Sequence, residues 1–236
     1  MVKRNLRIAV LQILFLLFAI AAFATDFKVR IENISQPDIL KSSTGATASL
    51  AFSPGVYVLH TSAGPVFTPG QRDRGKGLES QAEDGDPSSL AKSLDGMKGI
   101  ISVGVFNTPV GKSDPGPIRP GDAYEFTFKT DPTSKAKLTV TMMWGQSNDL
   151  FYAPGPDGIS LFDKKGNPES GEITSRFQLW DAGTEVNEEP GFGPNQGPRQ
   201  SGPNTGPSEQ KAVNHVKDSY SYPEVSKVLR ITITSQ

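Results

Sequence analysis

The chain has 236 residues, and its 24 lysines and arginines nearly balance its 25 aspartates and glutamates, for a formal net charge of −1. It has no block of like charge, which argues against nucleic acid or an anionic membrane surface as a partner. It also contains no cysteine. We therefore expect no disulfides and no lipid anchor, and folding must rely on a hydrophobic core, which a chain of this length can bury.

Residues 1–24 have the pattern of a secretory signal peptide. Three basic residues precede the nearly apolar run 8–22, and Ala22-Phe23-Ala24 supplies small residues before a cut at Thr25. The apolar run is shorter than the ~20 residues that a spanning helix needs. We expect an exported protein, periplasmic or secreted, with no membrane span in its mature form. Loss of three positive charges takes the net charge from −1 to about −4.

The rest of the chain reads as one β-rich domain, residues 25–236. Alternating or compact apolar runs predict strands, and Gly and Pro-rich segments predict long turns between them. Residues 78–82 and 88–94 are predicted as short helices. The predicted strands cover residues 27–34, 56–60, 100–106, 123–129, 137–144, 173–181 and 228–233. The economical fold is all-β: an antiparallel two-sheet β-sandwich of about eight strands, with long loops at one end.

One pair of strands gives a specific expectation. Residues 123–129 and 137–144 are separated by the turn sequence Asp131-Pro132-Thr133-Ser134, which predicts a hairpin of adjacent antiparallel strands. Their apolar side chains should then pack together. These side chains are Tyr124, Phe126, Phe128, Val140 and Met142.

Two acidic turns, each following a strand-like run, are the main candidates for a functional site. The first, residues 147–158, contains Asp149, and the second, residues 179–189, contains Asp181 and Glu185. Carboxylate and amide oxygens on glycine-containing loops are ligands that Ca²⁺ prefers. We predict that the two turns meet and hold one such ion. The structural alternative is that each Asp only bonds nearby backbone N–H groups, as Asp does in many turns.

Four segments, in this order, resemble the spondin N-terminal domain, the extracellular module of the F-spondin and mindin proteins. They are Ser53–Val56, Gly77–Gly85, Asn148–Phe151 and Asp181–Glu185. The resemblance covers residues 27–236 and is strongest to the bacterial, stand-alone branch. It implies a β-sandwich similar to C2 domains, with a Ca²⁺ ion at one end and no catalytic activity.

The resemblance also implies the ligand set Asp149, Asp181 and Glu185. In the animal members the second turn reads Asp-Ala-Gly-Thr-Asp, so Glu185 replaces an Asp and reaches one methylene further. Leu150 stands where those members carry Trp, and this chain has no cysteine. Adhesion and pattern-recognition roles therefore do not transfer with the resemblance. Three carboxylates on surface loops predict a calcium Kd of ~10⁻⁴–10⁻³ M.

The other acidic residues receive structural interpretations. Asp157 is expected in a tight turn and is a spare ligand at most. Asp84 and Asp86 lack the further acids of a complete calcium loop, so a loop or cap role is favoured. Glu188 and Glu189 are expected in solvent. The two tryptophans, Trp144 and Trp180, are expected in the core.

Three functional classes stay open. In the first, a monomeric, non-enzymatic calcium-binding module would bind a protein or glycan through loops at the metal end, including residues 191–207. In the second, a β-sandwich glycoside hydrolase or lyase would use Asp149, Asp181 or Glu185 as acid and base, which requires carboxyls ~5–9.5 Å apart. In the third, a structural envelope protein would use the ion only for stability. We prefer the first.

Overall fold

The structure is a computed structural model that describes residues 24–236. The signal peptide predicted for residues 1–24 lies outside the described residues, except for residue 24. The described chain contains thirteen strands and three short α-helices, and its strand pairs are antiparallel. The predicted all-β class is confirmed. Within residues 24–236, no helix is both long enough and apolar enough to cross a membrane.

Eight of the strands have five residues or more, which agrees with the number expected, and the other five have two residues each. The elements in chain order are β1 (Thr25–Asn33), β2 (Leu40–Lys41), β3 (Thr47–Ala48), β4 (Phe52–His60), α1 (Leu78–Glu83), α2 (Ser88–Leu94), β5 (Ile100–Phe106), β6 (Ala123–Thr130), β7 (Lys137–Trp144), β8 (Leu150–Pro154), β9 (Ile159–Ser160), β10 (Gly171–Glu172), β11 (Phe177–Asp181), β12 (Asn214–His215), α3 (Val225–Val228) and β13 (Leu229–Ser235).

These strands form three sheets. A four-stranded sheet has the order β10-β13-β1-β6, and a seven-stranded sheet has the order β12-β11-β8-β7-β4-β5, with β9 pairing on β7. The strands β2 and β3 form a small separate hairpin. Within the four-stranded sheet, β1 lies between β6 and β13, so the first and last strands of the described chain are hydrogen-bonded neighbours.

The predicted hairpin of residues 123–129 and 137–144 is wrong. Strand β6 pairs with β1, whereas β7 pairs with β4, β8 and β9 in the other sheet. The reason lies in the connection, where Pro132–Ser134 form a 3₁₀ turn and the Asp131 carboxylate accepts hydrogen bonds from the Thr133 and Ser134 amides. This turn carries the chain from one sheet to the other. The predicted packing is nevertheless confirmed, because all five named side chains lie in one buried cluster.

That first cluster contains side chains of both large sheets. Phe126 of β6 stacks on Tyr57 of β4, with ring centroids 4.4 Å apart, and on Phe106 of β5 at 5.2 Å. Each large apolar side chain buried in this way stabilises the fold by about 1.5–3 kcal/mol relative to exposure. The packing of rings between β6 and the strands of the seven-stranded sheet therefore accounts for much of the core.

The opposite face of the seven-stranded sheet is also buried. Val58 and Phe151 on this face share a second cluster with Leu78 of α1 and Leu90 of α2. The helices therefore cover the sheet, and β8 is buried along its whole length. Both tryptophans are core residues, as predicted. The helix α1 packs near β7 and β8, and this places it beside the first acidic turn.

Candidate metal centre

The predicted first acidic turn, residues 147–158, is turn only in part, because Leu150–Pro154 within it form β8. Its residues before β8 complete the connection from β7. The Ser147 hydroxyl closes it by donating to the Trp144 carbonyl at 2.6 Å and accepting from the Leu150 amide at 3.1 Å. Asp149 lies two residues after Ser147 and has no exposed surface. The turn therefore fixes a carboxylate inside the protein at the start of a buried strand.

The second turn follows β11 and meets the first, as predicted. Strand β11 pairs with β8 so that Asp181 lies opposite Leu150, and the Ala182 amide donates to the Asp149 carbonyl at 3.2 Å. The Asp181 carboxylate then accepts from the Gly183 amide at 2.7 Å. Gly183 has φ of +70°, and a Cβ there would lie 2.7 Å from the Lys211 carbonyl oxygen. The tight return of the chain therefore requires glycine.

Only one of the two oxygens of the Asp149 carboxylate accepts hydrogen bonds. Its Oδ2 accepts from the Thr184 amide at 2.7 Å, the Glu185 amide at 3.1 Å and the Thr184 hydroxyl at 3.2 Å. Its Oδ1 is buried and has no hydrogen-bond partner among residues 24–236. Burial, and next the charge of Asp181, raise the pKa of Asp149, while the two amides act in the opposite direction. One oxygen of this buried acid is thus unsatisfied.

Asp181 and Glu185 are held differently. Asp181 is partly buried, and its Oδ2 accepts from the Asn187 amide group at 2.8 Å. Glu185 is 1% exposed, and its Oε1 accepts from the Gly206 amide at 2.7 Å. Burial is the largest influence that raises the pKa of each. The structure therefore brings Asp149 to Asp181 and to the backbone of Glu185. The Glu185 carboxylate is held by Gly206 of the long loop and, at 3.4 Å, by the Asn148 side chain of the first turn.

The donor set has the chemistry that a hard cation needs, although the ligands are not gathered around a single point. Across residues 24–236, no group of three or more histidine, cysteine, aspartate or glutamate side chains is arranged to hold a metal ion. The set Asp149, Asp181 and Glu185 stays a prediction. The unpartnered Asp149 Oδ1 fits it, because a buried anionic oxygen without a hydrogen bond is costly unless a cation contacts it.

Sequence reasoning missed a fourth acid, Glu83, at the end of α1. It is 1% exposed, and neither carboxylate oxygen has a hydrogen-bond partner in the described chain. Burial raises the pKa of Glu83 to about 8, and the charges of Glu185 and Asp149 contribute to this rise. The nearby Thr184 hydroxyl lowers the pKa of Glu83, but it donates its hydrogen bond to Asp149. Glu83 lies within Gly77–Gly85, one of the four spondin-like segments. No spacing of residues in the sequence predicts that it is buried.

The long loop of residues 190–207 lies against the acidic turns. Its Gly206 amide reaches Glu185, and the Gln200 side chain donates to Asp84 at 3.0 Å. The expectation that Glu188 is solvated is wrong, because its carboxylate accepts from the amide and side chain of Asn195 at 3.0 and 2.7 Å. The loop is held partly by its own hydrogen bonds, such as those from Arg199 to Gly193 and Gln196, and partly by these neighbouring carboxylates.

The remaining acidic candidates have structural roles. Glu189, also expected in solvent, is partly buried and accepts from the Ser43 amide at 2.5 Å. Asp86 accepts from the Ser88 amide at 2.9 Å in the loop before α2, whereas the N-cap residue of that helix is Pro87. Of the predicted loop or cap role, the loop role is therefore the one observed. Asp157 is exposed in a turn with Gly158, whose φ is +71°. These three acids therefore have structural roles in the described chain.

No protein-family model matches this chain, and no curated protein matches it. The resemblance to the spondin N-terminal domain therefore remains a prediction from four short segments.

Proposed function

We propose that this protein is an exported, non-enzymatic binding module stabilised by calcium, of the spondin N-terminal type. Its fold is a two-sheet β-sandwich similar to C2 domains. Asp149, Asp181 and Glu185 hold the ion, and the loops around it bind a protein or glycan. The ion supplies positive charge and oxygen coordination where the two acidic turns meet.

The observation that carries this proposal is the half-satisfied carboxylate of Asp149. Amides of the second turn orient it through Oδ2 and leave Oδ1 without a partner. A structural Asp in a turn usually has all its oxygens bonded or in water. The nearby ammonium of Lys211 does not neutralise this region, because Lys211 is exposed and pairs with Glu209. A bound Ca²⁺ accounts for an oriented, buried and unpaired oxygen.

The burial of these acids favours a binding role over glycoside hydrolysis. Asp149 and Glu185 are 0% and 1% exposed, whereas a glycosidase acid and base must flank a sugar in an open cleft. Asp181 is more accessible, but both of its oxygens accept hydrogen bonds within its own turn. These contacts suit residues that hold an ion and order a loop.

A nearby groove indicates the class of ligand. It has a volume of about 710 Å³ and opens between the β2–β3 hairpin, the start of the long loop and residues 219–223. Tyr220 and Tyr222 line it together with Lys41 and Glu189, and Tyr220 is 37% exposed. Tyrosine rings beside charged and hydroxyl groups suit the apolar face and the hydroxyls of a sugar. We therefore favour a glycan over a protein ligand.

The glycan assignment is tested by affinity electrophoresis through gels that contain neutral or acidic polysaccharides. We expect retardation by at least one polysaccharide, and Tyr220→Ala should weaken it about three- to tenfold, as loss of one aromatic contact does. Thr127→Ala, an exposed change on β6, is the matched control. If no polysaccharide retards the wild-type protein, the ligand is not a glycan of the tested classes.

The calcium assignment is tested by thermal melting with chelator and with increasing calcium. For a Kd of ~10⁻⁴–10⁻³ M, about 10 mM calcium should raise the free energy of unfolding by about 1.4–2.7 kcal/mol. Magnesium at the same concentration is the control for ionic strength, and it should do much less because it requires a smaller octahedral site. No melting shift and no calorimetric heat with calcium would refute the metal assignment.

A further inference from the structure

We propose that Glu83 is a fourth carboxylate ligand of the same ion, so that α1 and both acidic turns close around it. This inference rests on the proposed calcium site. It goes beyond the predicted ligand set, because Glu83 belongs to a helix that neither the acidic turns nor their spacing include.

The position of Glu83 is fixed by helix packing. Leu78 and Ala82 of α1 lie in the second buried cluster against the seven-stranded sheet. Glu79, one turn before Glu83, lines a cavity of about 320 Å³ together with Gly183 and Thr184 of the second acidic turn. The acidic side of α1 therefore lies against that turn, and the Glu83 side chain is almost fully buried.

Three carboxylate oxygens in this region have no hydrogen-bond partner within the described chain: both oxygens of Glu83 and Oδ1 of Asp149. Thr184 links the two acids, because its hydroxyl donates to Asp149 and lies close enough to Glu83 to lower its pKa. Glu83 also responds to the negative charges of Glu185 and Asp149. The helix α1 and the first acidic turn thus each supply a buried carboxylate with unsatisfied oxygens beside Thr184.

No basic side chain of residues 24–236 forms an ion pair with Glu83, Asp149 or Glu185. Leaving buried carboxylates unpaired costs several kcal/mol per charge. Ca²⁺ takes six to eight oxygens and accepts both oxygens of one carboxylate. Glu83 and Asp149 alone offer three oxygens, and Asp181 and Glu185 complete an acidic set whose higher charge should bind calcium more tightly than three ligands would.

The test is isothermal titration of the purified protein with calcium chloride, comparing Glu83→Gln with Glu79→Gln. Both changes remove one negative charge from α1, but only Glu83 is buried with free oxygens. We expect Glu83→Gln to weaken calcium binding by about tenfold or more and Glu79→Gln by less than about threefold, because ligand charge sets affinity in such sites. Circular dichroism of the calcium-free variants checks folding.

The outcomes separate this inference from the proposed function. If the wild type binds calcium and the two variants weaken binding equally, Glu83 is not a ligand, while the three-carboxylate site stands. If the wild type gives no heat and no melting shift, the calcium site itself fails. Should Glu83→Gln not fold, Glu83→Asp replaces it. This change keeps the charge but withdraws the oxygens by one methylene, so weakened binding supports ligation and unchanged binding overturns it.

Discussion

Two buried regions of the molecule differ in how their side chains are partnered. The first is the aromatic packing between the two large sheets, and the second is the acidic end, formed by Glu83 and the two acidic turns. Between the sheets, rings pack on rings: Phe126 of the four-stranded sheet stacks on Tyr57 at 4.4 Å and on Phe106 at 5.2 Å in the seven-stranded sheet. At the acidic end, Glu83 and Asp149 retain three unpartnered oxygens. Burial stabilises the fold in the first region and costs free energy in the second. The first region therefore stabilises the fold, and the second carries a free-energy cost that the proposed ion would offset.

The largest expected effect is in the ring packing. Phe126→Ala removes a ring that contacts Tyr57 and Phe106, so we expect a loss of about 3–5 kcal/mol in the free energy of unfolding, measured with urea. Thr127→Ala on the same strand is exposed and should stay within about 0.5 kcal/mol. The loss should be the same with calcium and with chelator. A loss that calcium reverses would mean that the two regions are not separate.

At the acidic end, Asp181→Asn should abolish the calcium-dependent gain, a loss of about 1.4–2.7 kcal/mol at 10 mM calcium. In chelator the variant should remain folded and be neutral or mildly stabilised, because the charge of Asp181 raises the pKa of Asp149. Asp157→Asn, an exposed turn acid, is the control and should retain the wild-type response. An Asp181→Asn protein with the wild-type melting shift would contradict the ligand assignment.

The third prediction concerns pH. Glu83 has a pKa of about 8 in the folded chain against an ordinary value of 4.5. Between these values the folded state holds a proton that the unfolded state has lost, so stability falls as pH rises. In chelator we expect unfolding free energy to drop by more than about 1 kcal/mol from pH 5 to pH 8, measured by urea titration at each pH.

Two comparisons sharpen this pH prediction. Calcium should flatten the fall, since the cation takes the place of the proton, and Glu83→Gln should reduce it while Glu79→Gln leaves it in place. A fall between pH 5 and pH 8 that is as large in calcium-free Glu83→Gln as in the calcium-free wild type would show that Glu83 does not cause it.

The local pattern of apolar and polar residues was sufficient to predict many of the strands and helices. Strands β5 and β7 and helix α2 begin and end at the residues that periodicity predicted. Alternation and apolar runs report whether a segment is extended and which side is buried. They do not report which strand is the neighbour, and the hairpin of β6 and β7 was wrong for that reason. The turn at Pro132–Ser134 changes sheets rather than closing a ladder.

The sequence predicted the part of the candidate site that the two acidic turns form. It did not predict the part that depends on how α1 packs. Asp149 and Asp181 meet because β8 and β11 are paired, and turn chemistry next to strands pointed to both. Glu79 and Glu83 lie four residues apart, a spacing that on an isolated helix places both on one solvent-facing side. Glu83 is buried because α1 packs against α2, β7 and β8 and lies near Thr184 and Glu185 of the second acidic turn. That burial is tertiary, so no local pattern contains it.

The pairing of β1 with β13 has a kinetic consequence. Phe27 lies opposite Ser235, so the four-stranded sheet joins strands separated by nearly the whole described chain. Closing so long a connection delays the contact, and folds dominated by such distant pairs form slowly. Until β13 arrives, one edge of β1 lacks its hydrogen-bonded neighbour. Pairing of β13 with β1 is therefore expected late in folding. A chain shortened before residue 229 would leave the edge of β1 unpaired and prone to aggregation.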